Sequence, residues 1–178
     1  MDKTKIAIIQ LTRIGDIIQT TQAARQMKAE SPDAHLTLIA RRKFAKGLMF
    51  LLETVFDNII LFDTADFFIQ KSLKSGKAEV SSFIKQLKSE KFEFTINLSF
   101  SKSSSYLAQL IDSPYKLGLH RNENNQIVLN DRWSQYIYSN VLNNTHVPFS
   151  LVDMYRFIMG VKENHVLDDD DNFAKRDK

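Results

Sequence analysis

Two short polar stretches carry the residue types that can do chemistry. The first is Thr12-Arg13-Ile14-Gly15-Asp16, which follows the apolar run Lys5–Leu11. A carboxylate there is compatible with a base, though a helix-capping role would make it a weaker one. Arg13 and Gly15 flank it as candidate substrate-binding residues: a glycine lets the backbone turn and lets a ligand come close. The second is Asn97-Leu98-Ser99-Phe100-Ser101-Lys102-Ser103. Hydroxyls and a lysine at a helix start can hold an anion. Both stretches also have plainer roles. Asp16 has the residue type of a helix N-cap. Ser99 or Ser101 can cap the next helix and leave Lys102 in solvent.

Other chemistries find less support. The first turn lacks the G-x-G-x-x-G of a dinucleotide site, and no G-x-x-x-x-G-K-[ST] loop occurs. The four histidines (His35, His120, His146, His165) show no ligand spacing and read as surface or capping residues. Asp168–Asp171 lacks the glycine and the alternation of a calcium loop. There is no cysteine, so thiolate chemistry and disulfides are out, which fits a reducing compartment.

The elements that must position these residues alternate along the chain. Apolar runs predict strands over Ile6–Leu11, Leu36–Ala40, Ile59–Phe62, Phe92–Leu98 and Tyr115–Leu119. Helical spacing predicts helices over Ile17–Glu30, Arg42–Glu53, Ala78–Glu90 and Lys102–Ile111. Strands separated by helices imply an α/β fold with a doubly wound parallel sheet. Beyond residue 120 the rhythm weakens, with a candidate short strand at Gln126–Leu129 and helices over Trp133–Val141 and Pro148–Gly160. Residues 161–178 lose periodicity and read as a charged linker or tail. In such a sheet the ends of the first and fourth strands share one crevice, which brings the two stretches together.

Composition sets the outer limits. The 178 residues suit one domain, and 43% hydrophobic content with 13 phenylalanines supplies a core. No run approaches the length of a membrane span, and no signal-peptide pattern opens the chain, so the expectation is a soluble, cytoplasmic protein. The net charge of +3 hides local basic segments at 41–46 (RRKFAK) and 71–91. These are either solvated helix faces or a surface for anionic headgroups or a phosphorylated substrate. Nucleic acid is disfavoured, because no stacking platform accompanies the charge.

The run KIAIIQLTRIGDIIQTTQAARQMKAESPDAHLTLIARRKFAKGL resembles the opening of the bacterial heptosyltransferases, glycosyltransferase family 9. Gly15-Asp16-Ile17-Ile18, Thr20-Thr21-Gln22-Ala23 and Pro32-Asp33-Ala34-His35-Leu36 fall in register with that family, with Gln22 in place of its helix proline. The fourth strand resembles the family's D-x-Q-G followed by lysine, but Asn97 replaces the acid and Phe100 the glycine. Val152-Asp153-Met154-Tyr155-Arg156-Phe157 resembles the helix closing the family's N-terminal domain.

The resemblance implies the Rossmann-like N-terminal half of a GT-B enzyme, the half that binds the acceptor, a phosphorylated lipid or glycan. Asp16 is then the general base of an inverting transfer, a role typically worth about 10²–10⁴-fold. Arg13, Gly15, Asn97, Ser99 and Lys102 line the substrate site, and Lys71 and Lys74 suit a phosphorylated lipid at the inner membrane surface. No metal or resident cofactor is implied. The nucleotide-sugar donor, typically ADP-heptose, belongs to a C-terminal half that these residues do not include. On this reading residues 1–160 form the acceptor-side domain, the donor half is a further domain or a separate chain, and this chain alone transfers nothing. The alternative is a free-standing, non-catalytic module that binds a phosphorylated glycan, a lipid or a partner protein.

Overall fold

The computed structural model describes residues 3–62, 73–143 and 148–162. Five parallel strands form the central sheet: β1 (Lys5–Gln10), β2 (His35–Arg41), β3 (Asn58–Phe62), β4 (Phe94–Asn97) and β5 (Tyr115–Gly118), in the order β3-β2-β1-β4-β5. The order reverses between β1 and β4. Two chain segments therefore leave neighbouring strands in opposite directions, and their C-terminal ends open a crevice. The register sets Ile9 beside Asn97 and Gln10 beside Ala40.

Strand β1 is buried on both faces because helices cover both. Ile6 and Ile8 face a layer made by α1 (Ile14–Glu30), α6 (Arg132–Asn143) and α7 (Leu151–Ile158). Ala7 and Ile9 face the opposite layer, which holds Leu87 of α4 (Leu73–Ser89) and Leu107 and Ala108 of α5 (Lys102–Leu110). This two-sided burial explains the continuous apolar run in the sequence. Val80 stands at helical spacing from Phe83, Ile84 and Leu87 of α4 but is exposed.

Several expected boundaries move. Helix α1 begins at Ile14, not Ile17. The helix expected over Arg42–Glu53 is broken into α2 (Arg42–Ala45), a 3-10 turn (Lys46–Leu48) and α3 (Met49–Leu52). Gly47 sits at the break and Leu48 leaves helical backbone with ψ of 6°; glycine weakens a helix interior by about 1 kcal/mol. The candidate strand at Gln126–Leu129 is β7 (Ile127–Val128), paired antiparallel with β6 (His120–Arg121). Helix α7 starts after Ser150, whose hydroxyl accepts from the Asp153 N–H at 3.1 Å. The expected tail over 161–178 lies outside the described residues from 163 onward.

Candidate functional site

The crevice at the reversal point is built around Gln10, the last residue of β1, which is fully buried. Its Nε2 donates to Thr20 Oγ1 at 3.0 Å and to the Tyr155 hydroxyl at 3.2 Å. Its Oε1 accepts from Thr12 Oγ1 at 2.5 Å and from Ser99 Oγ at 2.8 Å. Ser99 Oγ also accepts the Leu11 N–H at 2.5 Å. The Thr12 N–H, which can only donate, also faces this Oε1 at 3.4 Å and favours the oxygen in that position. One carboxamide thereby links the ends of β1 and β4 to α1 and α7.

On the β4 side, Asn97 Nδ2 donates to the Leu119 carbonyl at 2.5 Å and to Ser104 Oγ at 3.1 Å, and Oδ1 accepts the Ser99 N–H at 3.0 Å. Both Asn97 and Ser99 are fully buried. Expected as substrate contacts, they present no side-chain surface to the crevice here and instead shape its wall. Ser101 is the N-cap of α5, its hydroxyl accepting the Ser104 N–H at 3.3 Å. Lys102 is the first residue of that helix and is exposed.

On the β1 side the N-cap of α1 is Arg13, not Asp16. An arginine side chain has no acceptor for the free helix N–H groups. Asp16 stands three residues in, and its Oδ2 accepts the Arg13 N–H at 3.1 Å, one half of a capping box. The carboxylate is half-buried, with Oδ1 left over. Gly15 is exposed and has no left-handed backbone, and a Cβ built on it meets nothing within 4 Å. The turn therefore does not require glycine; what Gly15 leaves is open space above the first turn of α1.

Tyr155 lies 4% exposed beneath this turn. Burial first, then the negative charge of Asp16, pushes its phenol well above the ordinary range, against the opposing pull of its bond to Gln10. The phenol stays protonated at any physiological pH. The end of β2 adds Arg41, whose Nε is buried without a partner, and the exposed Arg42 and Lys43. With Arg13 and Lys102 they give the sheet edge a basic rim.

Two expectations lie elsewhere. Lys71 falls outside the described residues, and Lys74 belongs to α4 without a described side chain. His120, expected at the surface, is 6% exposed; its Nδ1 lies 3.1 Å from the Gly118 carbonyl, and burial lowers its pKa despite that bond. His35 is half-buried, and His146 and His165 are not described. Among the described residues no group of three or more histidines, aspartates or glutamates could hold a metal ion. No helix among them is long and apolar enough to cross a membrane. A groove of about 760 Å³ opens at the opposite end of the strands, lined by Ile6, Met27, Phe94, Leu117 and Met159. It is remote from Asp16.

Sequence reasoning missed Gln10, Thr20 and Tyr155. The available signal was a glutamine at the end of a fully buried strand, which must find partners for two donors and an acceptor.

The strand order defines a Rossmann-like α/β domain with a crevice at the reversal point. Among solved structures this fold recurs in enzymes that transfer sugars. A glycosyl transferase family 9 protein from Veillonella parvula matches with a TM-score of 0.62 and 20% identity, over 92% of this chain and 43% of its own. The E. coli heptosyltransferase WaaC with ADP-2-deoxy-2-fluoro heptose matches with a TM-score of 0.64 and 14% identity, over 92% of this chain and 50% of its own. E. coli ADP-heptose LPS heptosyltransferase II matches with a TM-score of 0.55 and 16% identity, over 87% of this chain and 40% of its own. The chain thus spans half or less of the structures whose fold it shares. No family model matches the sequence. No curated protein matches it either.

Proposed function

We propose that this chain is the acceptor-binding part of an inverting glycosyltransferase, with Asp16 as the general base. The observation that carries the reading is a half-buried carboxylate, tethered through one oxygen at the reversal point of a sheet shared with heptosyltransferase structures. Oδ2 is held by the Arg13 N–H, so Oδ1 is the atom for the acceptor's proton. The acceptor oxygen forms a bond to the anomeric carbon. The bond from that carbon to the donor's phosphate oxygen breaks, the nucleoside diphosphate leaves, and the configuration inverts. Arg13, Arg41 and Lys102 suit an acceptor that carries phosphate, because their charge rims the same edge. The donor, a nucleotide sugar such as ADP-heptose, is assigned to a second half or a separate chain. The reaction takes place in the cytoplasm, with the acceptor reached at the inner membrane surface.

The test is to supply a donor-binding half, ADP-heptose and a phosphorylated lipid A precursor to the wild-type chain and to Asp16→Ala. Loss of transfer with vesicle binding retained supports the base. Binding of lipid A vesicles by both chains, with no turnover under any complementation, supports a non-catalytic binding module instead.

A further inference from the structure

We propose that Tyr155 is a positioning residue for the Asp16 turn, acting through Gln10. The proposal rests on the reading of Asp16 as the base. Gln10 has three groups of partners: Thr12 at the start of the turn, Ser99 at the end of β4, and the pair Thr20 and Tyr155. Thr20 belongs to α1 itself, and Thr12 and Ser99 belong to the two segments that need placing. Tyr155 alone comes from an element outside the crevice walls, 145 positions along the chain. Without it one Nε2 proton of Gln10 has no acceptor in a fully buried site. The carboxamide then loses one of its anchors, and a turn that seeks a new partner for that proton moves its Oε1 relative to both Thr12 and Ser99.

Helix α7 can bear this load because Met154 and Ile158 on either side of Tyr155 are buried in the core with α1 residues Ile17, Ala23 and Ala24. The phenol accepts from Gln10 and still has its own proton to donate. Burial and the charge of Asp16 both hold that proton on the oxygen, so the acceptor lone pair that Gln10 needs comes from a neutral group at every working pH. Asp16 and Tyr155 are therefore electrostatic neighbours as well as two ends of a path that runs through Gln10 and the Thr12–Arg13 backbone.

Tyr155→Phe keeps the ring and removes only the hydroxyl. The measurement is the ¹H–¹⁵N spectrum of the chain as it stands, with and without the substitution. The expected result is displaced backbone resonances over Leu11–Asp16 and over Ser99–Lys102, unchanged resonances at Ile127–Val128, and Gln10 side-chain amide protons that exchange about tenfold faster. Changes confined to α7 and its packing neighbours would mean a merely structural tyrosine and overturn the proposal. Should the variant not fold, the wild-type chain decides it. Slow exchange of the Gln10 carboxamide protons supports the anchored hub, and exchange at the rate of an exposed glutamine overturns it. Failure of the base reading is seen separately, as transfer that survives Asp16→Ala.

Discussion

Gly118 and Asn97 face each other across the β4–β5 ladder so closely that a Cβ at 118 would lie 1.9 Å from the Asn97 carbonyl oxygen. Gly118 also has a φ of +77°, a backbone region that costs other residues about 1–2 kcal/mol. Both effects act at the end of β5, beside the end of β4 that forms one wall of the crevice. The obstacle is backbone, which cannot rotate aside. Gly118→Ala is expected to destabilise the chain by about 2–4 kcal/mol. Urea unfolding measures the loss, and a change below about 0.5 kcal/mol would contradict the close approach.

Ser99 is the second place where one atom supports two strands. Its hydroxyl takes the Leu11 N–H and gives its proton to Gln10, and all three groups are buried. Alanine would leave a backbone donor without a partner and cost Gln10 a donor. Each unmet buried group costs about 1–3 kcal/mol. Ser99→Ala is therefore expected to lower stability by at least about 1 kcal/mol and to bring the Leu11 amide into faster hydrogen exchange, while Ser103→Ala, at an exposed position, changes neither.

Strands β1 and β2 were legible because each is an apolar run between breaks, and a strand covered on both faces demands such a run. The meeting of the β1 and β4 ends followed from the crossover logic alone. The details at the crevice were not legible, for two physical reasons. The N-cap residue of α1, Arg13, lacks the acceptor that marks a cap, so the capping rule points to Asp16, three residues late. Gln10 finds its partner Tyr155 in a helix 145 positions away, and no local period encodes that distance. The polar character of Asn97 and Ser99 suggested contact with a ligand; only the packed structure shows their bonds already made within the protein. The resemblance to heptosyltransferases at Gly15-Asp16 agrees with the fold, but nothing in the chain's own packing accounts for Gly15.

Stability should fall in two stages as pH drops. His120 is buried and its folded pKa lies below the ordinary value, so the unfolded chain binds its proton first. Its contribution is full above about pH 6.5 and is lost as pH falls through the lower folded value. Asp57 follows. Burial raises its carboxyl, but the bond to Lys28 at 2.7 Å, the Leu36 N–H and the charge of Lys28 outweigh that and leave it below the ordinary value. Its contribution holds above about pH 4 and is lost below. Melting temperature measured against pH should show both steps. Asp57→Asn should remove the one below about pH 4 and leave the other, and His120→Gln the reverse. Persistence of both steps in either variant would overturn these assignments.

Asp16 can be separated into its two duties by choice of substitution. Its Oδ2 accepts the Arg13 N–H, and an amide oxygen in the same place can do so too. Asp16→Asn should therefore change stability by no more than about 0.5 kcal/mol, whereas Asp16→Ala, which removes the cap, should cost about 0.5–1 kcal/mol. An amide cannot take a proton from an acceptor hydroxyl. If the carboxylate is the base, both variants lose transfer by about 10²-fold or more in a complemented enzyme, even though only one of them loses stability. Thermal unfolding and transfer rates on the same two proteins decide it. Full transfer by Asp16→Asn would leave the carboxylate as a helix cap, and the proton would have to leave by another group.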